Sequence, residues 1–288
     1  MTAEDSGPLV VATLMAVYGR DDATAFTAAI QSVLNQDLPT GVVSHVYLGV
    51  DGPLPPALYA AVASVEPKLF LVHRSAQNQG LARMLNALID RLQGEAFVFR
   101  MDADDVSLPH RYRCQLAHLQ AHPEIDILGT AITESNEVTG RRRVVRFAAG
   151  PADALARMHW RVPVAHPTVC MRARALELAG GYPVEGTNED VALWFRCARL
   201  GLRFDNLPEP LLVFRVATDF WRRRGLRKAR SELACYLRGI HQLHGWFTPA
   251  YAVPVLRFGL RLMPTSVSRW AYSLAWRQGD QVEPGAPG

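Results

Sequence analysis

Ala96-Phe97-Val98-Phe99-Arg100-Met101-Asp102-Ala103-Asp104-Asp105 is the stretch on which the fold turns. Its first four residues have the composition of a buried strand, and the strand runs straight into the acidic sequence Met101–Asp105 at its carboxyl end. Carboxylates this close repel one another unless a cation or ligand screens them, and aspartate is disfavoured in a buried strand. Two readings satisfy the pattern. In one, Asp102 and Asp104 hold Mg²⁺ or Mn²⁺, hard cations that take one or two protein carboxylates together with substrate phosphates. In the other, the run is a polar turn and Pro109 opens the next helix.

Upstream, Leu9–Val17 is another continuous apolar run, followed by Asp21 and Asp22 as caps for a helix carrying Ala25, Ala29, Ile30 and Val33. The rhythm repeats. Val42–Val50 reads as a strand ending at Asp51-Gly52-Pro53, Leu69–Val72 as a third strand, and Leu81–Leu92 as a helix with Leu81, Leu85, Leu88, Ile89 and Leu92 on one face. Strands alternating with helices predict an α/β fold with a mostly parallel, Rossmann-like sheet, whose ligands bind at the strands' carboxyl ends. Tyr18, Asp51 and Asp102 each fall at or near such an end. Beyond Asp105 the order becomes mixed: a helix over Pro109–His122, a strand over Ile125–Ile132, a polar turn at Gly140, a strand over Thr168–Met171, a helix over Asn188–Leu200 and a strand over Leu211–Val216. A long basic helix from about Asp219 to Leu243 follows. There is no internal repeat and no low-complexity segment.

With 288 residues, 49% hydrophobic and 20% charged, the chain is long enough to bury a large core. Met1–Pro8 lacks the cationic and apolar regions of a signal peptide, and four scattered cysteines fit a reduced, cytoplasmic compartment better than disulfides or zinc. A net charge of +4 is modest, and no nucleic-acid motif accompanies it. The distribution of charge says more. No acidic residue occurs between Glu232 and Asp280, where arginines alternate with aromatic residues, and Pro249, Pro254 and Pro264 interrupt the apolar stretches. That region is too broken to span a bilayer but suited to lying on one.

The ordered set VATLMAVYGR, Ala29–Gln36, Asn78-Gln79-Gly80-Leu81-Ala82 with Leu85-Asn86, MDADD with Pro109 and Arg111, His122-Pro123, Asp126–Gly129, His166-Pro167-Thr168-Val169, Gly180-Gly181-Tyr182, and Glu189-Asp190 with Leu193-Trp194 resembles the family 2 glycosyltransferases. Each piece is weak alone; the order is specific. The resemblance implies a GT-A fold, with residues 9–217 as the catalytic domain: a nucleotide-sugar half over 9–105 and an acceptor half over 106–217. Residues 218–278 then read as a helical, basic and aromatic extension, and 1–8 and 279–288 as disordered ends. Within the family, His166–Val169 and Phe214-Arg215-Val216 followed by Arg222-Arg223-Arg224-Gly225 look most like bacterial enzymes building O-antigen or exopolysaccharide units on a lipid carrier. One departure stands out. The family commonly carries two consecutive aspartates at the end of the second strand, where this chain has Val50-Asp51.

The resemblance implies an inverting transfer of a hexose, with galactose as the guess, from a UDP-sugar to a lipid-linked saccharide at the inner face of the bacterial membrane. Metal-bridged phosphates would stabilise the leaving diphosphate. Asp104 would bind metal, Asp102 would bind metal or ribose, and Asp105 would cap the following turn. Candidate donor contacts are Ala16, Val17, Tyr18, Asp51, Asn78, Gly80, Arg83, Asp102 and Ala103. Several also have plain structural readings, Tyr18 as packing and Asn78 as a helix cap.

The resemblance assigns proton removal to Asp190, with Glu189 its nearest rival; Thr187–Asp190 equally fits a capping box that merely starts a helix. A helix N-terminus lowers a carboxyl pKa, so a base there needs an apolar pocket to offset the effect. Acceptor candidates are His166, Trp194, Arg222 and Arg223. Trp194 has a core reading, and the arginines beside the aromatic tail suit a polyprenyl diphosphate or anionic headgroups. Two other classes compete. A sugar nucleotidyltransferase would carry a Gly-rich, Arg/Lys-containing loop where this chain has Val17-Tyr18-Gly19-Arg20, and an inactive sugar- or lipid-binding module would keep MDADD only as a turn.

Overall fold

A computed structural model describes residues 7–137, 139–186, 188–216, 226–262 and 280–282. Four parallel strands form its first half: β1 (Leu9–Tyr18), β2 (Val42–Asp51), β3 (Leu71–Ser75) and β4 (Phe97–Met101), ordered β4-β1-β2-β3. Helices α1 (Ala23–Leu34), α2 (Pro56–Val65) and α3 (Leu81–Ile89) connect them. Asp22 caps α1 as its sequence predicts, its carboxylate accepting the Ala25 amide at 2.8 Å. α3 stops three residues short of the expected Leu92, closing at Asp90.

Alternation along the strands sorts two cores. Val11, Met15 and Val17 pack with Phe26, Ile30, Leu58 and Val62 on one face of the sheet. Ala12, Leu14 and Val98 pack with Leu85, Leu88, Leu193 and Trp194 on the other. A strand buried on both faces must be apolar throughout, so Arg100, in register with Leu14 on the second face, is the exception that draws the eye.

The second half is mixed, as expected. β5 (Val106–Ser107), α4 (Arg111–Ala121), β6 (Ile127–Asn136), β7 (Arg142–Val145), α5 (Pro151–Arg157), β8 (Cys170–Arg172), α6 (Ala173–Ala179), α7 (Glu189–Arg199) and β9 (Phe204–Val216) follow in order. β8 joins β4 and β6 antiparallel, closing one sheet across both halves. The strand expected over Thr168–Met171 divides: His166–Thr168 is a 3₁₀ turn around Pro167, and β8 begins two residues later.

β9 starts seven residues before the expected Leu211, running through Pro208 and Pro210. Its register against β6 jumps there, from Thr130↔Leu207 to Ala131↔Pro210, so a bulge absorbs prolines that a regular ladder would reject. β7 follows the polar turn at Gly140, and its arginines alone would suggest no more than a solvated charge run. It pairs antiparallel with β6, and Arg143 meets Glu134 at 2.7 Å.

The expected basic helix is α8 (Leu226–His244), and α9 (Ala252–Leu262) packs on it, with Pro254 in its first turn. Residues 217–225 lie outside the described residues. Asp280–Val282, in the segment read as a disordered tail, forms β10 against β7, an edge strand with pairing groups to offer.

Candidate active site

Parallel register brings Tyr18, Asp51 and Ser75 level at the carboxyl edge, with Met101 level with Met15 on the neighbouring strand. The chain crosses that edge at Asp51 and again at Asp102. Asp51 is 4% exposed, and its two carboxylate oxygens accept the backbone amides of Gln79 at 2.7 Å and Gly80 at 2.9 Å. Gly52 makes this clasp possible: φ is +88°, and a Cβ there would lie 2.8 Å from the Asn78 amide nitrogen. The Gln79 and Gly80 amides, just ahead of α3, are therefore spent on Asp51, and a nucleoside contact by Asp51 would be additional to this work. Gly80 itself has φ +90° and open space where a Cβ would point. Val17 and Ala103 are buried, which leaves a ligand mainly their backbone groups; Ala16 and Tyr18 are half-buried, and Asn78 and Arg83 are exposed.

Asp102, Asp104 and Asp105 each present a carboxylate oxygen, and these oxygens all lie within 4.8 Å of one another. The expected turn cap at Asp105 is a longer-range anchor. It is 1% exposed, and its Oδ1 accepts the Arg215 amide of β9 at 2.9 Å. Its Oδ2 is buried without a hydrogen-bond partner. Burial holds this carboxyl well above the usual aspartate range, reinforced by the charges of Asp102 and Asp104. An all-oxygen donor set with one orphaned buried oxygen fits a hard divalent cation.

Arg100, which sequence reasoning passed over, stands beneath this cluster. Its side chain is 4% exposed, and its guanidinium Nη1 is in ion-pair contact with Asp102 Oδ1. Burial disfavours the charge, but Asp102, Tyr182 and Asp105 outweigh that and raise its pKa. The only sequence signal was its interruption of the apolar run Phe97–Met101.

Across from the trio, Asp190 sits in the first turn of α7, half-buried beside Glu189. Its pKa is pushed up to about 6, by burial first and by Glu189 second; its backbone hydrogen bonds and Arg100 pull the other way. The offset that a base at a helix N-terminus needs is thus present. Thr187 lies outside the described residues, and Asn188 makes no side-chain cap bond.

His166 Nε2 lies 2.9 Å from the Tyr182 hydroxyl, and burial together with Arg100 holds the imidazole neutral, its pKa well below the ordinary value. Trp194 has no exposed surface and meets His166 edge to face at 6.0 Å, so it backs the histidine and cannot itself touch an acceptor. Asn86 of α3 fixes the Gly181-Tyr182 turn, accepting the Tyr182 amide at 2.7 Å and donating to its carbonyl at 2.8 Å. Arg222 and Arg223 lie outside the described residues.

The model of glycosyl transferase family 2 matches residues 13–178, and that of glycosyl transferase family group 2 matches residues 97–277. The chain is 30% identical to the amylovoran biosynthesis glycosyltransferase AmsE of Erwinia amylovora, over 90% of this chain and 96% of the relative. It is 25% identical to the UDP-Gal:alpha-D-GlcNAc-diphosphoundecaprenol beta-1,3-galactosyltransferase of Escherichia coli, over 92% of this chain and 96% of the relative. Among solved structures, the mannosyltransferase PcManGT from Pyrobaculum calidifontis, in complex with GDP-Man and Mn²⁺, is similar with a TM-score of 0.61 at 18% identity, over 96% of this chain and 77% of that one. The GT-A architecture follows from that likeness, and the family group 2 match spans both the acidic trio and Asp190. This chain belongs to glycosyl transferase family 2.

Proposed function

We propose that this glycosyltransferase works in bacterial surface-polysaccharide synthesis, moving a hexose, galactose by our reading, from a UDP-sugar to a lipid-linked saccharide with inversion. The observation that carries the proposal is a division of carboxylates. One set, Asp102, Asp104 and Asp105, converges at the end of β4; another, Asp190, stands apart with its pKa raised to about 6. Carboxylates held in different environments perform different work. Asp102 and Asp104 would hold Mn²⁺ or Mg²⁺, which when bound neutralises the charge of the departing diphosphate. Asp190 would take the proton from the acceptor hydroxyl as that oxygen attacks the anomeric carbon and the bond to the diphosphate breaks. His166, held neutral, and Tyr182 would orient the acceptor. The nucleoside would lie along Ala16–Tyr18 and Asp51, with Asn78, Gly80, Arg83 and Ala103 near the phosphates and ribose.

Names of relatives support the donor and acceptor classes. The E. coli relative is named for a UDP-Gal donor and a diphosphoundecaprenol acceptor, and the E. amylovora relative for amylovoran biosynthesis. No described helix is long and apolar enough to cross a membrane. Peripheral attachment at the inner face is supported by Trp246 and Phe247, 74% and 102% exposed, and by Val255, Leu256 and Leu260 on the outer side of α9.

The test is release of UDP from a panel of UDP-sugars with Mn²⁺ and a lipid-diphosphate saccharide. Asp104→Ala should abolish metal-dependent UDP binding. Asp190→Asn should bind UDP as the wild type does yet lose transfer by about 10³-fold. Equal loss of both functions in both variants would refute the division of roles.

A further inference from the structure

Arg100 is a charged side chain, 4% exposed, on a strand whose other residues are apolar. Burying a guanidinium costs several kcal/mol unless partners satisfy it. The chain shows elsewhere how it satisfies a buried charge. Glu95, 3% exposed, accepts the Tyr47 hydroxyl at 2.5 Å and the Gln93 amide at 2.6 Å, and its carboxylate lies 2.9 Å from His45 Nδ1. Arg100 is treated differently. Its charge is met by Asp102, whose Oδ1 is in ion-pair contact with Nη1, while its Nε is buried without a hydrogen-bond partner. Asp105 Oδ2 and Trp194 Nε1, beside the same site, are likewise buried without a hydrogen-bond partner. The guanidinium lies between two functions, paired with Asp102 and near enough to Asp190, His166 and Tyr182 for its charge to act on each.

We propose that Arg100 is a positioning residue for the donor metal: it competes with a divalent cation for the Asp102 carboxylate. The inference rests on the glycosyl-transfer reading above. Competition follows from charge, because Asp102 cannot fully neutralise Arg100 and ligate a metal at once. A guanidinium that loses Asp102 stays buried, with Asp105 the other carboxylate acting on it.

The primary experiment titrates Mn²⁺ alone into the full chain and follows free Mn²⁺ by electron paramagnetic resonance, for wild type, Arg100→Gln, Arg100→Met and Arg100→Lys. Loss of the competing charge should tighten Mn²⁺ binding on the order of tenfold in the Gln and Met variants, with Lys close to wild type. Mn²⁺ affinity that is unchanged or weaker in a folded Gln or Met variant overturns the proposal. Should neither fold, Arg100→Lys decides: its point charge keeps the competition without the guanidinium fork, so Mn²⁺ binding more than about threefold tighter than wild type overturns it. Failure of the wild type to bind Mn²⁺ and UDP together would instead sink the donor reading on which the inference rests.

Discussion

At the scale of single residues, this protein separates carboxylates by environment. Asp51 is neutralised by two backbone amides, Asp102 by a guanidinium, and Asp105 by one amide and burial. Asp190 is left with a desolvated, raised pKa and a place at the acceptor side. The sign of its pH dependence is fixed. A base must be deprotonated, so transfer should climb as pH rises through about 6 and level off above it, in a kcat/KM profile taken between about pH 4.5 and 8. An acid limb near 4, the ordinary aspartate range, would show that burial does not govern this group. Asp190→Asn should remove the limb together with the activity.

At the scale of elements, the junction between α3 and the turn before α7 holds the two halves of the site in register. Gly181 has φ +70°, and a Cβ there would lie 2.6 Å from Asn86 Oδ1, the atom that receives the Tyr182 amide. Gly181→Ala should therefore destabilise the fold by about 2 kcal/mol and lower transfer further than that loss explains, by displacing Tyr182 from His166. Thermal unfolding beside steady-state kinetics reads both effects. Much of this half was legible in the sequence because apolar periodicity and capping are local: the Asp22 cap, the parallel strands and the acidic exit of β4 all follow from short windows. The first half of β9 was not, since Pro208 and Pro210 argue against a strand and only the bulge opposite Thr130–Thr133 admits them. The Asp105–Arg215 bond was missed for a related reason, because its residues are 110 positions apart, and Arg100 showed only as a break in an apolar run.

At the scale of the whole molecule, α8 and α9 add a surface to the catalytic sheet. α8 packs on α7, with Phe195 and Tyr236 edge to face at 5.7 Å, and α9 packs on α8 through Arg257, which pairs with Glu232 at 3.4 Å. Val255, Leu256 and Leu260 of α9 and Phe247 of the Gly245–Phe247 turn are left exposed, as is most of Trp246, whose ring lies 4.1 Å from that of His241 on α8. Flotation with vesicles containing anionic lipid should recover the wild type, and a Trp246→Ser, Phe247→Ser double variant should float at least about threefold less, with melting unchanged. Equal flotation would remove these residues from membrane attachment.

The clasp of Asp51 on the Gln79 and Gly80 amides can be followed in time. Amide protons of an exposed loop exchange with solvent freely, yet these two are held by a 4% exposed carboxylate at the end of a central strand. Their exchange should be governed by opening of the β2–α3 junction, slower than that of Ala76 nearby by about two orders of magnitude, and Asp51→Asn should collapse the difference. The loop would then be a rigid floor already set when the nucleotide arrives, and nucleotide binding should leave the exchange of these two protons nearly unchanged.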